Sequence, residues 1–367
     1  MKILTVGVEE EFVLVDRGGR APVDRGPYVI RAAGRQLGDQ VQPEFFNAQV
    51  ETASKPVSFC ADLRDELVGL RYVVREAARA EQCLPVATGT PVLPPERPLT
   101  ITDGERYERI GQRFASRFSS VDGLLSACHV HVGTLDRDLA LALSSRMAPW
   151  LPVLEALAVN SPYELRRDTG FASRRAVEHA RWPTVGPAPD LDESRYLTHV
   201  AELVREGTLL DRHMVFWHSR PSEHVPTLEI RVADSIADVD TVVMLAALVR
   251  GLASTLLAEL DGQQPGPPAP VRPRLLRAHD LAARHGLAGC GLDPYTGRER
   301  PVAELVDLLV ERARPALDAA GDTAPVVRQW RHIRAQGTGA ARQRASYRRR
   351  GLFTDVVDGL AVLTAAG

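Results

Sequence analysis

Val6-Gly7-Val8-Glu9-Glu10-Glu11-Phe12-Val13-Leu14-Val15-Asp16 is an aliphatic run with three consecutive carboxylates set into it. It reads as a β-strand. Side chains alternate across a strand, so Glu9 and Glu11 share one face while Val8, Glu10 and Phe12 take the other. Two carboxylates at neighbouring same-face positions repel each other unless a cation sits between them. Paired oxygen donors of this kind suit Mg²⁺, which prefers carboxylates, water and phosphate oxygens over nitrogen or sulfur. A purely structural reading is an edge strand that carries acidic gatekeepers against aggregation. The rest of the chain argues against it.

Three further stretches alternate in the same way. In Glu44 to Thr52, Phe46, Ala48 and Val50 alternate with Asn47, Gln49 and Glu51, which predicts a strand with one polar face. Glu51 is then a third candidate carboxylate, and Glu44 falls on the opposite face unless a bulge intervenes. Ala127 to Gly133 puts His129 and His131 on one face. Thr227 to Asp234 puts Glu229 and Arg231 on one side, with Leu228, Ile230 and Val232 on the other. Any one pair is weak; an HxH on a strand is commonly a surface pair. Together they describe a sheet whose concave face is lined by carboxylates, two imidazoles and a guanidinium. Such a face can hold two or three Mg²⁺ ions against nucleotide phosphates, with Arg231 as a bidentate clamp on a transferring phosphoryl group. A zinc hydrolase using His129, His131 and a carboxylate is the rival chemistry. It leaves Glu9/Glu11, Glu51 and Arg231 without work.

The 367 residues give ample length for a large core, and 25% charged with 44% apolar residues places the chain among ordinary globular proteins. A net charge of −2 steers it to neither nucleic acid nor an anionic membrane. No secretory pattern fits the amino-terminal residues, and Cys60, Cys83, Cys128 and Cys290 are scattered, so reduced thiols and a cytoplasmic location are expected. Val242 to Leu260 is broken by Arg250 and Glu259 and reads as a core helix, not a membrane span. Helices are also predicted for Tyr28–Gly38, for Asp62–Gln82 with Asp62 as its cap, and for Tyr107–Phe118. Two more cover Asp136–Asn160, kinked at Pro149 and Pro152, and Leu197–Glu206. Val215–Trp217 reads as a short strand. Asn160 to Gly186 reads as a long arginine-rich loop, a candidate substrate lid. Residues 263–273 are a proline-rich connector, and 274–367 read as helical throughout, within one domain spanning 1–367. The basic stretch Arg342 to Arg350 reads as a helix surface or a contact with ATP phosphates. Cys128 reads as core, and His279 and His285 as surface or cap residues.

Several motifs in order resemble the glutamate–cysteine ligase type 2 family, also called carboxylate–amine ligases, whose catalytic sheet is similar to that of glutamine synthetase. They are Gly7-x-Glu9-x-Glu11-Phe12, Val50-Glu51-Thr52, His129-Val130-His131-Val132-Gly133 and Asn160-Ser161-Pro162. Asp168-Thr169-Gly170-Phe171-Ala172-Ser173-x-Arg175, Arg220-Pro221-Ser222 and Thr227-Leu228-Glu229-Ile230-Arg231 follow. The resemblance implies an α+β fold: a curved, mainly antiparallel, glutamine-synthetase-like sheet with helices on its outer face. It implies Glu9, Glu11, Glu51, His129 and Glu229 as metal ligands, with His131 and Arg231 on nucleotide phosphates. Arg175 and Arg220 would hold substrate carboxylate or phosphate oxygens. The implied reaction uses ATP and Mg²⁺ to phosphorylate a carboxylate, usually the γ-carboxylate of glutamate, and an amine then displaces phosphate to give an amide. A non-catalytic nucleotide-binding member is the alternative within the family. Small-molecule substrates are expected, no nucleic acid and no membrane, and the family also implies a homo-oligomer. Tyr163-Glu164-Leu165-Arg166-Arg167 and Arg174 depart from the family pattern, so the acceptor is open between cysteine and a non-canonical amino acid.

Overall fold

The computed structural model describes residues 3–114, 123–133, 135–262 and 271–366. Its first part runs β1 (Thr5–Asp16), α1 (Gly26–Leu37), β2 (Val41–Gln42), β3 (Gln49–Ala53), α2 (Cys60–Ala80) and β4 (Cys83–Val86). Next come α3 (Glu105–Phe114), β5 (Ala127–Gly133), α4 (Arg137–Met147) and α5 (Leu151–Ala158). A hairpin of β6 (Tyr163–Glu164) and β7 (Arg167–Asp168) leads to α6 (Arg174–His179) and α7 (Glu193–Arg205). β8 (Ser219–Pro221), β9 (Thr227–Asp234) and α8 (Val239–Asp261) follow. The rest is α9 (Arg272–His285), a hairpin of β10 (Cys290–Leu292) and β11 (Glu299–Pro301), and α10 (Val302–Ala320). α11 (Thr323–Gln336), α12 (Gly339–Arg350) and α13 (Phe353–Ala365) complete it.

Seven strands form one sheet in the order β2-β3-β1-β5-β9-β8, with β4 beside the second half of β1. All of these pairings are antiparallel. The expected α+β class with a mainly antiparallel sheet is what the chain forms. Alternation decides its two faces. Val6, Val8, Cys128, Val130, Val132, Leu228 and Ile230 share one core with the helices, above all α8, which is buried from Thr241 through Leu256. That helix is long and apolar enough to cross a bilayer, but it lies inside the fold, as its charged interruptions predicted. Cys128 is core, also as expected.

Glu10 points to this helical side, and α2 supplies its counter-ion. Arg71 Nη2 lies 2.5 Å from Glu10 Oε1 and Arg71 Nε donates to Oε2 at 3.1 Å. The same guanidinium donates to the Ile236 and Ala237 carbonyls at 2.8 and 2.6 Å. Both charges are buried, and the fork of donors is matched.

Several local expectations are corrected. The strand predicted from Glu44 begins at Gln49, because residues 47 and 48 turn. α2 is capped at Phe59, so Asp62 stands in its first turn instead. Pro149 and Pro152 split the predicted long helix in two; Pro152 fits the first turn of α5, where a missing N–H costs nothing. The supposed loop 160–186 contains the β6–β7 hairpin and α6. α7 begins four residues early, at Glu193, because the Asp192 carboxylate caps it by accepting from Arg195 N. The strand expected at Val215–Trp217 forms at Ser219–Pro221 instead. The β10–β11 hairpin interrupts the helical C-terminal part. Residues 115–118 of the predicted helix and 263–270 of the predicted connector lie outside the described residues. The α12 arginines reach no cavity of the sheet: Arg344 pairs with Asp168, Arg350 with Asp355, and Arg342 lies 3.7 Å from Asp238. Of the two readings for that stretch, the surface one holds.

Candidate active site on the polar sheet face

Strand register places the predicted residues side by side. Glu51 of β3 pairs with Glu11 of β1, Glu9 of β1 with His129 of β5, and His131 of β5 with Glu229 of β9. Arg220 of β8 stands opposite Glu229 in turn. The row therefore crosses five neighbouring strands and lines a cavity of about 470 Å³. All nine predicted residues border it: Glu9, Glu11, Glu51, His129, His131, Arg175, Arg220, Glu229 and Arg231.

Two sets of donors converge. Oxygens of Glu9 and Glu229 and a nitrogen of His131 lie within 4.8 Å of one another, and so do oxygens of Glu11, Glu44 and Glu51. Glu44 is the residue that strand parity set aside; the turn after it folds its carboxylate back over the site face. His129 is expected as a ligand, and the structure gives it two relations. Its Nδ1 lies 3.1 Å from Glu9 Oε2 and 3.7 Å from Glu229 Oε1, while its Nε2 is buried with no hydrogen-bond partner. His131 Nε2 lies 3.3 Å from Glu9 Oε1, and its Nδ1 is 2.9 Å from Thr227 Oγ1. It thus joins the first donor set as well as facing the cavity. Arg220 Nε donates to Glu229 Oε2 at 2.7 Å, and Arg231 pairs with Glu229 Oε1.

The charges are strongly coupled. Burial lifts the Glu11 carboxyl to about 8, and the neighbouring Glu44 charge adds to this. Burial also raises Glu44, and it drives Glu51 well above the carboxylate range with help from Glu9, Glu44 and Glu11. Burial opposes ionisation of Glu229 too, but Arg220 and Arg231 outweigh it and hold that carboxyl well below its usual value. For Glu9, burial is outweighed by hydrogen bonding to His129 and His131, so it stays ionised. Burial, then Arg231, lowers His129 to about 4 and keeps it neutral; the Glu9 carboxylate reverses the burial effect at His131 and raises it. Three carboxyls whose charged form is disfavoured by burial, beside an orphaned imidazole nitrogen, fit a site completed by divalent cations.

A bulge makes the far edge of the site. Between Cys128 and Val130 the register of β9 slips, so Asp234 pairs with Ala127 and comes onto the polar face despite its even position. Asp234 accepts from Asn160 N, Ser161 Oγ and Ser173 Oγ, each at 2.7 Å. Ala127 N donates to Glu11 Oε2 at 2.7 Å. This knot fixes the start of α6 and thereby Arg175, whose Nη2 donates to the Arg231 carbonyl at 3.3 Å. Gly89 is needed here, since a Cβ would lie 2.8 Å from both Asp234 Cγ and Ser161 Oγ.

Sequence reasoning ranked Glu44 below Glu51 and missed Arg106, Tyr107, Trp182 and Phe216, all of which border the cavity. They come from turns and from α3, where no two-residue period marks them. It also misplaced His279, which is buried between Glu155 and His218, 3.0 Å from the latter's Nδ1.

A model of the "Glutamate-cysteine ligase family 2(GCS2)" matches residues 5–359. A protein of Mycolicibacterium vanbaalenii, provisionally named glutamate–cysteine ligase 2-2, is 42% identical over 99% of this chain and 98% of its own length. A Salinispora tropica protein, provisionally named glutamate–cysteine ligase 2, is 42% identical over 95% of this chain and 91% of its own. Among solved structures, the Francisella tularensis glutamate–cysteine ligase in complex with AMP superposes with a TM-score of 0.74 at 12% identity. It covers 100% of this chain and 90% of that one. The bifunctional glutathione synthetase of Pasteurella multocida superposes at 0.73 with 14% identity, over 99% of this chain and 52% of that one. At such identities these structures speak to the fold alone.

Proposed function

The chain belongs to glutamate–cysteine ligase family 2 and is an ATP-dependent ligase; on that premise we propose that it phosphorylates the γ-carboxylate of glutamate and joins it to an amine. The observation that carries this is the cross-strand row, which gathers two oxygen-rich donor sets and two arginines around one cavity. Glu11, Glu44 and Glu51 would hold one Mg²⁺, and Glu9, His131 and Glu229 a second; His129 belongs to neither set and would orient Glu9 through its Nδ1. Bound there, Mg²⁺ neutralises the charge of the ATP phosphates. Arg220 and Arg231, both paired with Glu229, would be the guanidinium groups placed to meet phosphoryl oxygens, where a fork of donors matches two oxygens at once. Arg175, held rigid by the Asp234 knot, orients a substrate carboxylate. The chain supplies position and charge, and needs no covalent enzyme intermediate. A zinc hydrolase would use only one of the two donor sets.

The test is ADP and phosphate release with ATP, Mg²⁺, glutamate and hydroxylamine, with the product identified by mass. γ-Glutamyl hydroxamate is expected, since hydroxylamine traps an activated carboxyl. Amide hydrolysis stimulated by zinc without ATP consumption would overturn the proposal.

A further inference from the structure

An amino-acid acceptor reaches the site mostly as an ammonium ion near neutral pH, and only the neutral amine has a lone pair to attack with. Some group must therefore take a proton from it. The clustered carboxylates of the cavity face the proposed cations and its arginines stay charged, so neither class is suited to accept one.

The cavity is also bordered by His179. It ends α6 one turn after Arg175, so the two side chains share one face of that helix, and both reach the cavity. The helix is held at both ends. Ser173 caps its start by accepting from Ala176 N at 3.1 Å, and the buried Glu178 is gripped by Arg174 and Arg181. The imidazole packs on Phe216 with ring centroids 5.7 Å apart, and the Arg231 guanidinium lies 5.7 Å from the same ring. His179 thus stands one helical turn from the arginine assigned to the substrate carboxylate and one ring away from an arginine assigned to the phosphoryl group. In γ-glutamyl phosphate, the acyl carbon connects those two ends. The other imidazoles of the cavity are engaged: His129 with Glu9, His131 with Glu9 and Thr227, and His213 with His224, stacked at 4.8 Å.

From this placement we infer that His179 is the general base of the transfer step, taking a proton from the acceptor's ammonium group so that its lone pair can attack. The inference rests on the ligase reading above. One proton passes from the ammonium nitrogen to a ring nitrogen of His179. The freed lone pair then forms the C–N bond to the acyl carbon, and the C–O bond to phosphate breaks with its electron pair leaving on phosphate. The departing phosphate takes the second proton from the new amide nitrogen, and the imidazolium returns the first to solvent.

Charge decides when this base acts. Burial first, then Arg175 on the same helix, Arg231 on β9, His218 ahead of β8 and His129 on β5 hold the imidazole well below its ordinary value, so it is neutral before substrates bind. From α9, His279 reaches His218, Nε2 to Nδ1, at 3.0 Å. Arg175 and Arg231 are the same groups assigned to the carboxylate and the phosphoryl oxygens. Anions bound there offset the two positive charges, so the imidazole gains proton affinity in the loaded site.

Cysteine and hydroxylamine separate the step, because the cysteine amine is largely cationic near neutral pH whereas hydroxylamine is already neutral. With ATP, Mg²⁺ and glutamate, His179→Gln should lower kcat for cysteine about a hundredfold, and at least about tenfold less for hydroxylamine. The KM values for ATP and glutamate should stay within about threefold of the parent's. Turnover of cysteine by this variant should climb more steeply with pH than the parent's, as the free amine grows. Added imidazole should restore cysteine turnover to His179→Ala. His179→Asn replaces either variant that fails to fold. Equal losses with both acceptors, turnover like the parent's, or a raised KM for ATP or glutamate with kcat kept overturns the inference. Hydroxamate from the parent without amide from cysteine or any other amino acid overturns it alone, since no ammonium group is then handled there. Neither hydroxamate nor ADP from the parent overturns the ligase reading and this inference together.

Discussion

Glu229 touches more of the site than any other side chain, with Arg220 on one oxygen, Arg231 on the other and His129 Nδ1 at 3.7 Å. Glu229→Gln keeps the shape and removes the charge, so two partly buried guanidinium groups lose their partner and the proposed cation site loses a ligand. ADP formation should fall at least about a hundredfold, ~2.7 kcal/mol of transition-state stabilisation, while the circular dichroism spectrum stays that of the parent. Turnover close to the parent's would remove Glu229 from the metal site. Glu44→Gln is the sharper test, because no sequence pattern pointed to it. It should weaken Mg²⁺ dependence of turnover by about tenfold or more, the scale on which even supporting ligand shells act, and an unchanged Mg²⁺ titration would exclude it. The contrast between these two residues explains what was legible at this scale. Glu229 sits on a strand whose two-residue period announces its face. Glu44 reaches the same cavity through a turn, and Asp234 through a bulge that inverts parity; neither device leaves a periodic trace.

The strands themselves were readable because each carries a charged face and an aliphatic face over five or more residues, and β1, β5 and β9 form where alternation placed them. Shorter elements were not. β6, β7 and β8 are held by the Asp234 knot and by neighbouring strands, contacts that no local pattern encodes. Glu10 shows a further limit: its face was predicted, but the partner 61 residues away was not. That pair makes a prediction about the element beneath the site. Arg71→Met leaves Glu10 buried without its counter-ion and strips two carbonyls of their donor, and it should cost roughly 3–5 kcal/mol by urea denaturation. The double variant Arg71→Met with Glu10→Gln should recover a clear part of that loss, since it removes the stranded charge. Equal destabilisation of the single and double variants would mean that the cost lies in packing alone.

At the scale of the whole molecule, the cluster stores a tension that links folding, protons and magnesium. Glu11, Glu44 and Glu51 have carboxyls raised by burial, Glu11 to about 8, whereas the unfolded chain releases those protons near 4.5. A carboxyl whose folded value is raised contributes stability that is present below the unfolded value and is lost as pH climbs through the folded one. Glu9 and Glu229 are shifted down, so they act only in acid and are silent near neutrality. His129, lowered to about 4, penalises the folded state in acid; the penalty fades as pH rises toward the unfolded value near 6.5 and is absent above it. Between about pH 6.5 and 8.5 the raised carboxyls therefore dominate, and the metal-free protein should lose stability steadily as pH rises. On the proposed reading magnesium would reverse the sign of the problem, because a bound cation would replace the protons and release them. Calorimetry should then show a metal-free Tm falling by about 3 °C or more across that window, and a Mg²⁺-loaded Tm that stays level or rises. Glu51→Gln should flatten the metal-free slope, having removed one of the groups that causes it. A metal-free Tm independent of pH, with proton uptake instead of release on adding Mg²⁺, would mean that the three carboxyls do not share one cation.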